Sequence, residues 1–321
     1  MATEETVLEV DDLYKTYRIG FFRKRVEAVR GISFKVQRGE IFGFIGPNGA
    51  GKTTTIKAIL QLIYPSKGVA RLFGRETGYP EARKRLGYMP ESPYIYQYLK
   101  PLEFLDLCGR LAGMKGEPLR KQSREMLESL GLGHAVDRPI GKFSKGMLQR
   151  IGLAQALLHE PELLILDEPF TGLDPVGRKD VREVLVEHRN RGGTILFTSH
   201  TLSDVEMLCD RVAIIRAGLL AAYGELGELL MPTERRIEIE LERVSPELRQ
   251  EIEKLADKVQ GERELLTAVV NGDEVIPQLL ERALQNGARV LAVRPHRDTL
   301  ENLFLRHAEA EARAADRTAQ E

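Results

Sequence analysis

Eight consecutive residues, Gly46-Pro47-Asn48-Gly49-Ala50-Gly51-Lys52-Thr53, match the pattern GxxxxGK[ST] and directly follow the apolar run Ile41 to Ile45. These residue types suit phosphate chemistry. Glycines let backbone N–H groups curl around phosphate oxygens without side-chain clashes. Lys52 neutralises the β and γ phosphates, Thr53 offers a hydroxyl to Mg²⁺, and the helix expected from Thr54 to Leu62 adds its N-terminal dipole. A second site of the same chemistry follows the apolar run Leu163 to Leu166, which ends in Asp167 and Glu168. Adjacent acids on an extended chain point to opposite sides. Asp167 can then hold Mg²⁺ through its water shell while Glu168 reaches an attacking water. Phosphoryl transfer depends mainly on positioning and charge stabilisation, so the two patterns complement each other. The plain alternatives are a glycine-rich structural turn and a solvated acidic pair, and finding both patterns in one chain argues against them.

The elements that must position these residues are legible as periodicity. Ile41 to Ile45, Leu163 to Leu166 and Thr194 to Thr198 read as buried strands separated by helical stretches, the mark of a mainly parallel α/β sheet covered on both faces. Ligands of such sheets bind beyond the C-terminal strand ends, which directs attention to the residues just after 45, 166 and 198. Residues 99 to 160 read as mostly helical, with breaks near Gly113 and Gly131. Composition shifts near residue 224, and Gly224 to Arg236, with Gly227 and Pro232, reads as a linker. Beyond it Ile237, Ile239 and Leu241 alternate with Glu238, Glu240 and Glu242, the period of a half-exposed strand. Leu265 to Val270 and Arg289 to Val293 are further strands of a small α+β domain. Asp298 and Glu301 resemble a capping box for its last helix.

Bulk properties narrow the class. The chain has 321 residues, 42% hydrophobic and 30% charged, which fits a globular protein of two domains. A formal net charge of −1 gives no electrostatic case for binding nucleic acid. Cys108 and Cys209 have no ligand spacing and read as reduced, packed thiols of a cytosolic protein. No apolar run approaches the about 18 residues that span a bilayer, and the acidic start resembles neither a signal nor a transit peptide. A membrane role therefore requires another chain to cross the membrane.

Taken together, the motifs resemble those of the ABC ATPases over residues 6 to about 225. Phe143-Ser144-Lys145-Gly146-Met147, followed by Gln149-Arg150, is similar to the family's signature motif. Thr171-Gly172-Leu173-Asp174 matches its D-loop, His200 its switch histidine, and Tyr17 the aromatic that stacks on adenine. The resemblance implies a P-loop NTPase fold of the ABC type, with a parallel-sheet core, an antiparallel β subdomain and a helical subdomain over about 92–160, here followed by a small C-terminal α+β domain. The domains implied are 1–228 and 229–310, with a fraying tail over 311–321.

The roles implied follow the motifs. Gly46 to Thr54 and Tyr17 would bind ATP, with Lys52, Thr53 and Thr54 on phosphates and Mg²⁺. Asp167 would be a Mg²⁺ ligand, Glu168 the general base, and His200 a γ-phosphate contact. Ser144 and Gly146 would reach the γ-phosphate of ATP bound to a second copy, so that a homodimer sandwiches two ATP molecules head to tail, and Asp174 of the D-loop would be a further nucleotide-binding residue. Two departures stand out: Lys145 and Met147 in the signature, and Glu91 at the usual glutamine of the Q-loop, where a carboxylate can still bind Mg²⁺ or water. Both departures resemble a subgroup of exporter ATPases that pair with a separate integral-membrane permease. The expected location is therefore cytoplasmic, on the inner face of the membrane through that permease.

Other features stay open. Tyr88, Tyr94, Tyr96 and Tyr98 suit either a groove for a permease helix or core and turn packing. Arg23, Lys24 and Arg25 after Phe21-Phe22 suit a solvated hairpin tip, anionic lipid or the rim of the adenine pocket. His134, His159, His188, His296 and His307 lack partners at ligand spacing. The C-terminal domain could bind a regulator or extend a dimer interface. A soluble ABC ATPase without a transport role is the competing reading. DNA-maintenance relatives need hundreds of coiled-coil residues between Lys52 and Phe143, and translation-type relatives need two cassettes; this chain has neither.

Overall fold

The computed structural model describes residues 5–20, 24–231, 236–262, 265–272, 274–295 and 299–303. The chain forms two compact units, Met1–Leu226 and Gly227–Glu321. The first opens with two long antiparallel strands, β1 (Thr6–Ile19) and β2 (Lys24–Gln37). In β2, Ile32, Phe34 and Val36 are buried while Ser33 and Lys35 face solvent, the alternation of a sheet with one wet face. Next come β3 (Ile41–Ile45), α1 (Lys52–Ile59), β4 (Lys67–Leu72), β5 (Arg75–Glu76), α2 (Pro80–Arg83) and β6 (Leu86–Met89). The helical stretch holds α3 (Pro101–Leu111), α4 (Gly116–Ser129) and α5 (Lys145–Leu157). The unit continues through β7 (Leu163–Leu166), α6 (Pro175–Asn190), β8 (Thr194–Ser199), α7 (Leu202–Leu208), β9 (Arg211–Arg216) and β10 (Leu219–Glu225), with α8 (Leu226–Leu229) after them.

Two sheets result, one in the order β2-β1-β4-β5 and one in the order β10-β9-β3-β8-β7-β6. In the second, all neighbours are parallel except β10 on β9. The adjacency of β3, β8 and β7 brings the chain just beyond residues 45, 199 and 166 to one edge, where the chemistry was sought. Every residue of β3 and β7 is buried, as expected of parallel strands covered on both faces. The two sheets share a core in which Phe34 stacks on Phe42 at 5.5 Å and on Phe44 at 5.2 Å. Gly43 allows this packing on its other side. A Cβ there would lie 2.9 Å from Cys209 Sγ, so α7 and its following loop could not approach. Cys108 and Cys209 are free thiols, and burial pushes both up, Cys108 to about 11.

The second unit comprises β11 (Arg236–Glu242), α9 (Pro246–Leu255), β12 (Lys258–Glu262), β13 (Leu265–Asn271), α10 (Val275–Gln285) and β14 (Arg289–Pro295). Its antiparallel sheet runs β12-β13-β11-β14, a split β-α-β-β-α-β arrangement. Ile239, Leu241, Leu266, Ala268 and Val270 form one core with Leu248, Ile252, Leu279 and Ala283 of the two helices.

Several expectations need adjustment. Helix α1 stops at Ile59 rather than Leu62, because Gln61 turns left-handed at φ 57°. Helix α5 starts at Lys145, where the Ser144 hydroxyl accepts the Met147 N–H and caps it. Gly224 and Glu225 complete β10 and Leu226–Leu229 is helical, so the start of the expected linker is structured. Strand β12 escaped notice because it is polar and interrupted by Gly261. Phe21 to Arg23, Pro232, His296, Asp298, His307 and residues 311–321 lie outside the described residues. Among the described residues no helix is long and apolar enough to cross a membrane.

The stacked phenylalanines make a stability prediction. Phe44→Ala removes a fully buried ring and should cost about 3–5 kcal/mol. The check is a fall in the urea midpoint of the first unit; an unchanged midpoint would place the core elsewhere.

Candidate active site

At the end of β3 the chain turns through Gly46–Gly51 into α1. Two of its glycines are sterically required. A Cβ on Gly46 would lie 2.2 Å from the Ile215 carbonyl oxygen of β9, and one on Gly51, at φ 111°, would lie 2.5 Å from the Ala28 carbonyl oxygen of β2. Gly218 N–H donates to Ala50 O at 2.9 Å, which ties the turn to the β9–β10 hairpin. The ammonium of Lys52, only 6% exposed, sits inside the turn. It donates to Gly46 O at 2.6 Å and faces Glu168 Oε1 at 3.5 Å.

The two acids emerge from β7 with Asp167 1% and Glu168 7% exposed. Their side chains diverge, as expected, but not through the pleat of a strand. Glu168 is not extended: it holds φ 54°, the left-handed region that residues with a Cβ avoid. The turn sends its carboxylate to Lys52 and to His200, whose Nδ1 lies 2.7 Å from Oε2. Asp167, just past β7, still bonds to β6, its N–H donating to Met89 O at 2.8 Å. Thr53 Oγ1 lies 3.4 Å from Asp167 Oδ1. A hydroxyl and a carboxylate beside a phosphate turn are hard oxygen donors, and Mg²⁺ takes few protein ligands when phosphate and water fill the rest. The residues present therefore fit that ion. Among the described residues there is no cluster of three or more His, Cys, Asp or Glu able to hold a metal unaided.

These side chains line a cleft of about 380 Å³ with Pro47, Asn48, Gly49, Gly51, Lys52, Thr53, Thr54, Glu91, Glu168 and His200 on its walls, joined by Ala28 and Thr171. Gly46, Ala50 and Asp167 support the cleft without lining it. Glu91 is anchored through its carbonyl, which accepts from buried Gln149 Nε2 of α5 at 3.0 Å.

Tyr17, Ser144, Gly146 and Asp174 do not line this cleft. Tyr17 is half-buried in β1, with the Lys15 ammonium 5.1 Å over its ring. Ser144 and Asp174 each cap a helix. The Asp174 carboxylate accepts from Gly177 N–H at 2.8 Å, and Arg150 of α5 lies 3.9 Å from it. A Cβ on Gly146 would be 3.3 Å from Gly172 O, so the start of α5 abuts the loop at Gly172. Lys145 fits the signature because its stem lies across Gly172, where a Cβ would be 2.8 Å from Lys145 Cδ. Ser144, Gly146 and Asp174 thus lie on a second surface of the chain, outside the cleft.

The tyrosines also divide. Tyr88 packs against the core, and burial, with Asp167 nearby, pushes its phenol to about 12. Tyr94, Tyr96 and Tyr98 are exposed. His159 Nε2 bonds to Leu86 O, and burial lowers the pKa of His188.

A family model described as ABC transporter matches residues 29–171. An uncharacterized ABC transporter ATP-binding protein of Synechocystis sp. is 37% identical over 306 residues, 94% of this chain and 85% of that protein. The chain belongs to the ABC transporter family. The linearmycin resistance ATP-binding protein of Bacillus subtilis is 33% identical to this ABC protein over 310 residues, 93% of the chain and 97% of that protein. A solved ATP-binding subunit of an ABC transporter aligns with a TM-score of 0.63 at 33% identity, covering 70% of this chain and 91% of that one. As an ABC ATPase the chain binds and hydrolyses ATP.

Sequence reasoning missed three contributors to the ABC site. Ala28 enters the cleft from the distant strand β2 and carries no pattern of its own, and Thr171, read as the first residue of the D-loop, had no role at this cleft. Thr198 was read as a strand end leading through Ser199 to His200, with no role of its own. Its hydroxyl donates to Asp167 Oδ1 at 2.7 Å and accepts the Glu168 N–H at 2.9 Å. Only its adjacency to His200 could have singled it out.

The steric argument at the turn is testable. Gly46→Ala should lower ATP affinity by about tenfold or more, since relieving the contact with Ile215 must move the turn by backbone strain on the order of 1–3 kcal/mol. Titration with a fluorescent ATP analogue measures this, and wild-type affinity would contradict the geometry.

Proposed function

We propose that this ABC ATPase powers an exporter. In this reading two copies close on two ATP molecules beneath a separate integral-membrane permease, which holds them at the inner face of the membrane. The observation that carries the proposal is the partition of the motif residues. Lys52, Thr53, Glu91, Glu168 and His200 share one cleft, whereas Ser144, Gly146 and Asp174 stand outside it on a surface of their own. In a head-to-tail pair the second surface of one copy completes the cleft of the other.

In that complex Lys52 and the N–H groups of Gly46 to Thr54 bind the phosphates, and Tyr17 stacks on the adenine. Thr53 and Asp167 hold Mg²⁺, with Glu91 able to reach it or its water. The ion supplies charge neutralisation to the phosphates when bound. Glu168 orients the attacking water and takes its proton. His200, bonded to Glu168, fixes that carboxylate and contacts the γ-phosphate. Ser144 and Gly146, at the start of α5, aim a helix N-terminus at the γ-phosphate of the ATP held by the partner copy. Asp174 adds a second contact across the pair.

The export direction draws on the linearmycin resistance ATP-binding protein, to which the chain is similar along nearly its whole length, and on Lys145, Met147 and Glu91. The exposed Tyr94, Tyr96 and Tyr98 supply a surface suited to a cytoplasmic helix of the permease, since tyrosine is enriched at interfaces.

Two variants test the reading. Glu168→Gln should lower turnover by roughly 10²–10⁴, the range of a general base, while ATP binding persists and the paired form accumulates; full turnover would refute the assignment. Ser144→Arg should abolish hydrolysis and spare ATP binding by the isolated chain. If that variant fails to bind ATP, Ser144 serves its own cleft and not a partner's.

A further inference from the structure

Thr198 is fully buried one residue before the end of β8. The parallel register pairs Leu166 with Phe197, which sets Thr198 beside Asp167. Packing alone does not call for a hydroxyl here. The surrounding β8 residues Ile195, Leu196 and Phe197 are apolar and buried, and valine has nearly the shape of threonine. The backbone ladder between β7 and β8 is also complete without it.

The hydroxyl has one proton and two lone pairs. The Glu168 N–H must donate, so that bond uses a lone pair; the proton is then committed to Asp167 Oδ1. One side chain thus acts on both acids. It satisfies the buried amide of a residue held at φ 54°, and it fixes the rotation of the Asp167 carboxylate opposite Thr53. Loss of the hydroxyl leaves the Glu168 N–H without its acceptor and Asp167 Oδ1 without its strongest donor.

We infer that Thr198 is a positioning residue for the hydrolysis reaction, its single hydroxyl setting the Asp167 carboxylate and the left-handed turn of Glu168 together. The inference rests on the roles given above to Asp167 and Glu168. It gives the strand before His200 a chemical task distinct from that of the histidine.

The test uses the full-length chain carrying Thr198→Val, with Thr198→Ser as the variant that keeps the hydroxyl. Thr198→Val should lower kcat by about 10- to 100-fold, the usual effect of removing a group that orients a metal ligand, with little change in the KM for ATP. A binding readout accompanies it. The Mg²⁺ concentration that half-saturates the ATP-dependent thermal shift should rise by about tenfold or more. Thr198→Ser should restore both. If Thr198→Val does not fold, Thr198→Ala is judged by the same two measurements. Wild-type kcat and Mg²⁺ response without the hydroxyl, or a serine variant as impaired as the valine one, overturns the inference. A parallel Glu168→Gln sample separates the causes: if it is fully active, the assignment of the base has failed; if it is inactive while Thr198→Val is not, only the role of Thr198 has failed.

Discussion

The contact between the Lys52 ammonium and the Glu168 carboxylate, both nearly excluded from solvent and 3.5 Å apart, constrains the rest of this protein. Charges removed from water cost several kcal/mol each unless they are paired and hydrogen-bonded. Here each has further partners: Gly46 O for the lysine, His200 for the glutamate. Bringing them together requires β3 and β7 to end at the same level with β8 between them, which the parallel order supplies. It also requires a turn without side chains at Gly46 and Gly51, and a left-handed residue directly after Asp167. The site concentrates local features that are unfavourable by themselves, and the buried strands on which it stands hold them in place.

In the proposed pairing, the same chain carries two halves of a reaction centre. One is an electropositive turn facing two acids. The other is the capped start of α5 with the loop before α6, tied to each other by Arg150 through Asp174 and Asp180. Gln149, next to Arg150 on α5, holds the carbonyl of Glu91. A single helix therefore touches both the wall of its own cleft and the surface proposed to serve the partner's.

Much of this was legible in the sequence because local chemistry dictates it. The phosphate turn needs glycine, lysine and threonine at fixed offsets, and a strand covered on both faces must be apolar throughout, as Ile41–Ile45 and Leu163–Leu166 are. What escaped depends on register or on distance along the chain. The division between Asp167 and Glu168 was expected from the pleat of a strand, but it comes from a backbone angle that no composition reveals. Thr198 acquires its task only when β7 and β8 are paired, and Ala28 enters the cleft only through the hairpin of β1 and β2. That hairpin itself lacks a clean period because its register slips at several points between Thr6 and Thr16. In the second unit the alternation of Ile237 to Glu242 was plain, whereas β12 offers the core only Val259, too little to show a period. Similarity to the Synechocystis and Bacillus relatives spans more than nine-tenths of the chain and so includes this unit.

If each terminal phosphate is held between Lys52 of one copy and Ser144 of another, hydrolysis must depend on encounter of two chains. Turnover per chain by the purified protein, followed over a dilution series with mass measured by light scattering in the same samples, tests this most directly. The account predicts that turnover per chain falls steeply as the paired form is lost. Constant turnover per chain at dilutions where every molecule has the monomer mass would contradict it.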